Sequence, residues 1–240
     1  MAQHISRKEL KQDKVRETFE HGAEAVLSHT RVASIAMLVA ILAGAAYLGW
    51  RFYHEHQTER AQVALDEAMK IFNAPVATSG QPALPGETTY PTAEKRDQEA
   101  EPKLAAVAAR YPHTNPGKLA RYYSALCLMD LDRLNQASEQ LKKLDAGSDK
   151  ELAALGKYQT ALIAERNGNQ QEAIKILEGL TSSGAVLVPK TMVQLELAGI
   201  YSQTDPSKAT AIYQQLKKDY PNTPVADQAD RGLELLGRNT

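Results

Sequence analysis

ATAIYQQLKKDYP, residues 209–221, decides how this chain is read. Ala209, Tyr213 and Leu216 stand four and then three residues apart, a spacing that keeps side chains on one face of a helix. Thirty-six residues earlier the same face is written Ala173, Leu177 and Leu180. Another thirty-six earlier it is Ala137, Leu141 and Leu144, and thirty-seven before that Ala100, Leu104 and Val107. The first and last copies end alike, in Tyr111-Pro112 and Tyr220-Pro221. A second series, Ala125, Ala161 and Ala198, precedes the matching alanine by eleven or twelve residues. Two small residues at that spacing mark where paired antiparallel helices touch closely. The period predicts helix pairs near 117–131/133–145, 151–167/169–181 and 190–203/206–219. A last helix, Val225–Leu236, would cap the open end. Asn167-Gly168-Asn169 and Thr204-Asp205-Pro206 supply turns.

Upstream, Ala61, Ala64, Leu65, Ala68, Met69 and Phe72 form one more helical stripe, expected to run to about Asn73. Then the pattern breaks. Ala74–Thr92 holds Pro75, Pro82, Pro85 and Pro91 with Gly80 and Gly86, which oppose regular structure. A break of that length reads as a mobile or functional insertion, splitting a fourth, N-terminal helix pair.

Further upstream lies Val32–Trp50, VASIAMLVAILAGAAYLGW, nineteen residues without a charge. As a helix it is roughly 28 Å long, about the thickness of a bilayer's hydrocarbon core. Arg31 and Arg51 flank it, and Tyr47, Trp50, Phe52 and Tyr53 crowd its C-terminal edge, where amphipathic rings favour headgroups. A buried core helix and a cleaved signal peptide are the alternatives. A core helix this long usually has a polar face, and a signal peptide's apolar core is shorter, ~7–15 residues. In the tail, Ser6-Arg7-Lys8-Glu9 reads as a capping box. Leu10, Phe19, Ala23, Val26 and Leu27 follow at rough helical spacing, beside Lys8, Lys11, Lys14 and Arg16. This suits either a basic amphipathic helix on a membrane surface or an ordinary solvated tail. Near the span the positive charges balance, so charge leans only slightly toward a cytoplasmic N-terminus. The expected organisation is a tail at 1–31, a span at 32–50 and a domain at 51–240 with the insertion at 74–92. The fold class is all-α: one transmembrane helix followed by an α-solenoid of antiparallel helix pairs.

The 240 residues carry a net charge of −1, so no nucleic-acid partner is expected. The one cysteine, Cys127, makes no internal disulfide and reads as a small buried hydrophobe. His54-Glu55-His56 is the nearest thing to a metal cluster, and it reads as an interfacial polar edge. No phosphate loop, HExxH or CxxC stands in the chain. No catalytic, cofactor-binding or metal residue is assigned, no cofactor is expected, and the chain does not read as an enzyme.

The repeated alanines, the apolar residues four and seven beyond them and the terminal Tyr-Pro resemble tetratricopeptide (TPR) repeats. The family's aromatic at the fourth position of each repeat is missing, so the array is degenerate. The resemblance implies binding of protein segments along a concave face lined by the first helix of each pair. With Ala125, Ala161 and Ala198 as register marks, that face shows Leu119, Tyr122, Tyr123, Leu126 and Met129, then Leu155, Tyr158, Gln159, Leu162 and Arg166, then Met192, Leu195 and Glu196. The groove candidates among them are Tyr122, Tyr123, Leu126, Met129, Tyr158, Gln159 and Arg166. The family's Lys and Asn clamp for a terminal carboxylate is absent from these places. The expected strip is apolar, with Tyr122, Tyr123, Met129 and Tyr158 on successive turns. Either it is open to a partner segment, or these side chains pack on neighbouring repeats or on the C-terminal helix Val225–Leu236.

A charged tail, one span with Trp50-Arg51 at its exit, and repeats ending in Tyr-Pro-x-Thr together look like the membrane-anchored ancillary subunits of the SecYEG translocon, the YfgM-like proteins. That resemblance implies a single-pass protein of a bacterial inner membrane. It implies a cytoplasmic N-terminus, a periplasmic repeat domain, and the translocon and periplasmic chaperones as partners. The insertion is not a feature of that family. A scaffold for envelope assembly or cell division, similar to CpoB-like proteins, and a regulatory accessory of an enzyme complex stay open.

Overall fold

The structure, a computed structural model, describes residues 30–77, 89–145 and 149–238. Helix α1 is Thr30–Phe72, and contacts divide the chain into two units between His56 and Gln57. The capping box at Ser6 and the stripe through Leu27 lie outside the described residues.

In the first unit, every large apolar side chain from Val32 to Tyr53 for which burial is described is exposed. This stretch is long and apolar enough to cross a membrane, a test that a signal sequence also passes. The Trp50 and His54 rings lie tilted to each other with centres 5.6 Å apart, and Phe52 meets His56 edge-on at 4.6 Å. Both are neighbours one helical turn apart, while His54 and His56 themselves face different ways.

The second unit is a stack of helices. After the end of α1 come α2 (Ala93–Arg110), α3 (Asn115–Asp130), α4 (Leu134–Asp145) and α5 (Lys150–Arg166). Then follow α6 (Gln170–Thr181), α7 (Lys190–Thr204), α8 (Pro206–Asp219) and α9 (Pro224–Arg238). No strand occurs among the described residues. From α2 onward each helix packs on the next, with further contacts from α3 to α5 and from α7 to α9. This is a solenoid of helix pairs, and its boundaries agree with the 36-residue register to within a few residues.

The register works because its alanines sit where helices touch. Ala100, Ala125, Ala137, Ala161, Ala173, Ala198 and Ala209 are all fully buried. The apolar residues four and seven beyond the second alanine are buried in every copy, from Leu104 and Val107 to Tyr213 and Leu216. The end of α1 joins this core through Ala61, Leu65 and Ala68, packed with Ala100, Leu104 and Val107.

Turns and caps are local. Asp132 and Gly168, thirty-six residues apart, both take positive φ, at 57° and 77°. The left-handed region costs glycine nothing, and aspartate tolerates it better than most residues. The Tyr-Pro-x-Thr motif is a turn joined to a helix cap. Thr114 Oγ1 donates to the Tyr111 carbonyl at 3.0 Å and accepts from the Gly117 N–H at 3.1 Å. Thr223 repeats it, donating to the Tyr220 carbonyl at 2.7 Å and accepting from the Ala226 N–H at 3.4 Å. One hydroxyl thus closes one helix and opens the next.

The insertion is less irregular at its ends than its prolines suggest. The Ala77 N–H donates to the Tyr90 carbonyl at 2.7 Å, and the Tyr90 N–H to the Pro75 carbonyl at 3.0 Å. This isolated parallel bridge ties the two ends together, with Ala74 and Tyr90 buried. Proline lacks an N–H but keeps its carbonyl, so one bridge survives where a strand does not. Residues 78–88 lie outside the described residues.

Candidate functional site: the face of the first helices

Helices α3, α5 and α7 are the first members of their pairs and bring residues of equal register together. Met129 lies deepest of the groove candidates at 5 % exposed, followed by Tyr122 at 8 % and Tyr158 at 9 %. Of the two arrangements the sequence leaves open, these three take the packed one, against neighbouring repeats, and not an exposed strip. Successive first helices stack closely enough to enclose them. The Tyr122 hydroxyl accepts from Gln159 Nε2 at 3.2 Å, and the Tyr158 hydroxyl donates to Glu196 at 3.4 Å. Arg166 Nη1 donates to the Met129 carbonyl at 3.3 Å. Each bond crosses from one pair to the next, so these side chains join repeats.

Of the other candidates, Tyr123, Leu126 and Gln159 are half-buried and Arg166 is exposed. The Tyr123 ring lies 5.0 Å from Phe72 at the end of α1, which covers part of this face. Leu119, Leu155 and Met192 occupy one register row and Leu126 and Leu162 another, all half-buried. Between these rows run Tyr123, Gln159 and Glu196. The face is therefore an apolar–polar ladder with one set of rungs per repeat.

Carboxylates give it an electrostatic character; the register places Glu196 on this face, but the pairing of acids from different helices is new with the structure. Burial raises the Glu196 carboxyl above its ordinary value, and the charge of Glu165 raises it further. Asp130 is raised by burial and then by the charge of Asp97, with Arg166 and Arg96 opposing. Burial, followed by the charge of Glu196, pushes the Tyr158 phenol up to about 12. Burial pushes the Cys127 thiol up to about 12 as well, leaving it a poor nucleophile. Asp97 is fully buried. Arg96 holds its Oδ1 through Nε at 2.9 Å and Nη2 at 2.8 Å, while Oδ2 has no hydrogen-bond partner among the described residues. These acids form two pairs, Asp97 of α2 with Asp130 of α3 and Glu165 of α5 with Glu196 of α7, and no spacing in the sequence announces either pairing. Among the described residues no group of three or more His, Cys, Asp or Glu is placed to hold a metal.

Comparison with known families agrees with the helix pairs. The tetratricopeptide repeat-like domain model matches residues 30–185, and a tetratricopeptide repeat model matches residues 192–223. No curated protein and no solved structure matches the chain. Repeats of this kind are typically non-catalytic scaffolds for protein–protein interaction. With well over half of its length matched, and with the buried alanine register that such repeats require, the chain belongs to the tetratricopeptide repeat-like domain family.

Proposed function

We propose that this protein is a membrane-tethered scaffold that holds partner proteins on the face of its first helices. The observation that carries the reading is the half-buried ladder of Leu119, Leu155, Met192, Leu126 and Leu162 around Tyr123 and Gln159. Half-buried apolar rows repeated along a solenoid suit an extended or helical segment with apolar anchors. Leu126, Tyr123, Gln159 and Arg166 make the contact, while Tyr122, Met129 and Tyr158 hold the rows in place.

The tether is residues 32–50, whose apolar side chains are exposed and need an apolar surrounding. The tail, 1–31, is cytoplasmic, and the domain, 51–240, stands on the outer face of a bacterial inner membrane. Its partners there are the secretion translocon and periplasmic chaperones. The similarity of tail, span, exit and Tyr-Pro-x-Thr repeats to the ancillary translocon subunits supports this assignment.

Two measurements on the full chain test it. Protease added to intact spheroplasts should remove the domain and spare the tail; full protection until lysis would reverse the orientation. Crosslinking in native membranes should recover translocon subunits. Leu126→Lys with Arg166→Ala should weaken that crosslinking about tenfold, roughly 1.4 kcal/mol of affinity, at nearly unchanged helicity. Undiminished crosslinking would move the partner to another face.

A further inference from the structure

Away from the first-helix face, α4, α5 and α6 surround a cavity of about 570 Å³. Pockets of ~300–1,000 Å³ commonly hold small ligands. The floor is apolar, made by Leu141, Ala154, Ile176 and Leu180. The rim is cationic. Lys142 comes from α4, Lys150 and Lys157 from α5 and Lys175 from α6, all exposed, against one lining carboxylate, Glu172. Lys150 also donates to the Gly184 carbonyl at 3.4 Å. Gly179 lines the mouth and is exposed: a Cβ placed there would meet nothing within 4 Å. Packing therefore does not demand glycine at this position, and glycine weakens a helix interior relative to alanine. What it leaves is room.

We propose that this cavity binds a single-chain anionic amphiphile, with an acyl chain on the apolar floor and a carboxylate or phosphate head among the lysines. Charge decides the head group: four cations and one anion line the rim. The floor decides the body. A peptide would bring an N–H and a C=O for each residue, and the side chains of Leu141, Ala154, Ile176 and Leu180 offer them no partner. Burying unpaired amides is costly, and an acyl chain has none. The two hydroxyls in the lining are already engaged. Thr160 donates to the Gly156 carbonyl at 2.9 Å, and Ser183 accepts from the Ala185 N–H at 3.3 Å.

The test uses the full chain in phosphatidylcholine nanodiscs and dodecanoate carrying a terminal diazirine. Photolysis and peptide mapping should place the label on 153–160 and 172–183. Unlabelled dodecanoate and dodecyl phosphate should compete, and the stronger competitor identifies the head group. Uncharged dodecanol should compete about tenfold less well. Gly179→Leu fills the mouth and should cut labelling about tenfold, while Gly179→Ala should keep the fold and cut it less. Lys142→Gln with Lys175→Gln should erase the advantage of dodecanoate over dodecanol. Both lysines are exposed, so this pair decides the matter even if Gly179→Leu fails to fold. Three outcomes would each overturn the proposal: full labelling of a folded Gly179→Leu, dodecanol competing as well as dodecanoate, or acetyl-Leu-Glu-Leu-Glu-amide displacing the probe as strongly as dodecanoate does.

Discussion

Glu196 and Tyr158 show how single side chains set the character of the first-helix face. The carboxyl is raised by burial first and then by Glu165, while the Tyr158 hydroxyl opposes the rise. A folded carboxyl that holds its proton more tightly than the unfolded one makes the native state the better proton binder. The stability it contributes is complete below the ordinary value of 4.5 and is lost as pH rises through the raised value. Glu196→Gln removes the charge and keeps a hydrogen-bonding side chain beside Tyr158. It should melt above wild type at neutral pH, and the gain should vanish well below pH 4.5. Melting curves followed by circular dichroism check this; a gain that persists in acid would mean that it does not come from the ionisation of Glu196. The buried tyrosines make a second prediction. Tyr122→Ala with Tyr158→Ala removes two rings that join successive repeats. Large aromatic truncations cost ~3–5 kcal/mol each, so the double variant should lose ~3 kcal/mol or more in urea titration. An unchanged midpoint would put these rings on the surface.

At the scale of the helix, close approach is the governing requirement. Ala173 on α6 is fully buried in one core cluster with Ala161, Leu177 and Ala198. A side chain three carbons longer has no space there. Ala173→Leu should cost ~1–3 kcal/mol through overpacking, read as a lower melting temperature. No change in melting would mean that α5 and α6 separate more easily than their packing implies. The contrast is Gly179 on the same helix, exposed, where a Cβ would meet nothing within 4 Å. Two small residues six positions apart thus do opposite things: one lets helices touch, the other leaves a cavity.

At the scale of the whole molecule, the array has an end that must be closed. Helix α9 lays Ala229 and Leu236 against the cluster holding Ala209, Tyr213 and Leu216, and Lys217 of α8 forms an ion pair with Asp230 of α9. Terminal repeats of a solenoid need a polar outer face to stay soluble. Truncation after Thr223 should expose Tyr213 and Leu216 and cause concentration-dependent association, measured by light scattering. A truncated protein that stays monodisperse would show that α8 closes the array unaided.

The sequence by itself determined the elements. Alanine at a 36-residue interval, with apolar residues four and seven beyond it, is a local statement about one helix face, and repetition makes it a statement about neighbours. The exposed apolar helix was equally legible, because length and composition alone define it. Which side of a tyrosine pair faces inward was decided only by tertiary structure. Tyr122 and Tyr123 differ by one position, about 100° around a helix. Both lie near the edge of the apolar face, and periodicity cannot say which of them the next repeat covers. The closeness of α3 to α5 put Tyr122 inside, and the end of α1 half-covered Tyr123 through Phe72. The pairing of the acids was illegible for the same reason. The register puts Glu196 on the first-helix face, but Asp97, Asp130 and Glu165 look like ordinary solvated residues in their own helices. Their two pairings, like the lysine-rimmed cavity of α4, α5 and α6, exist only because separate helices converge.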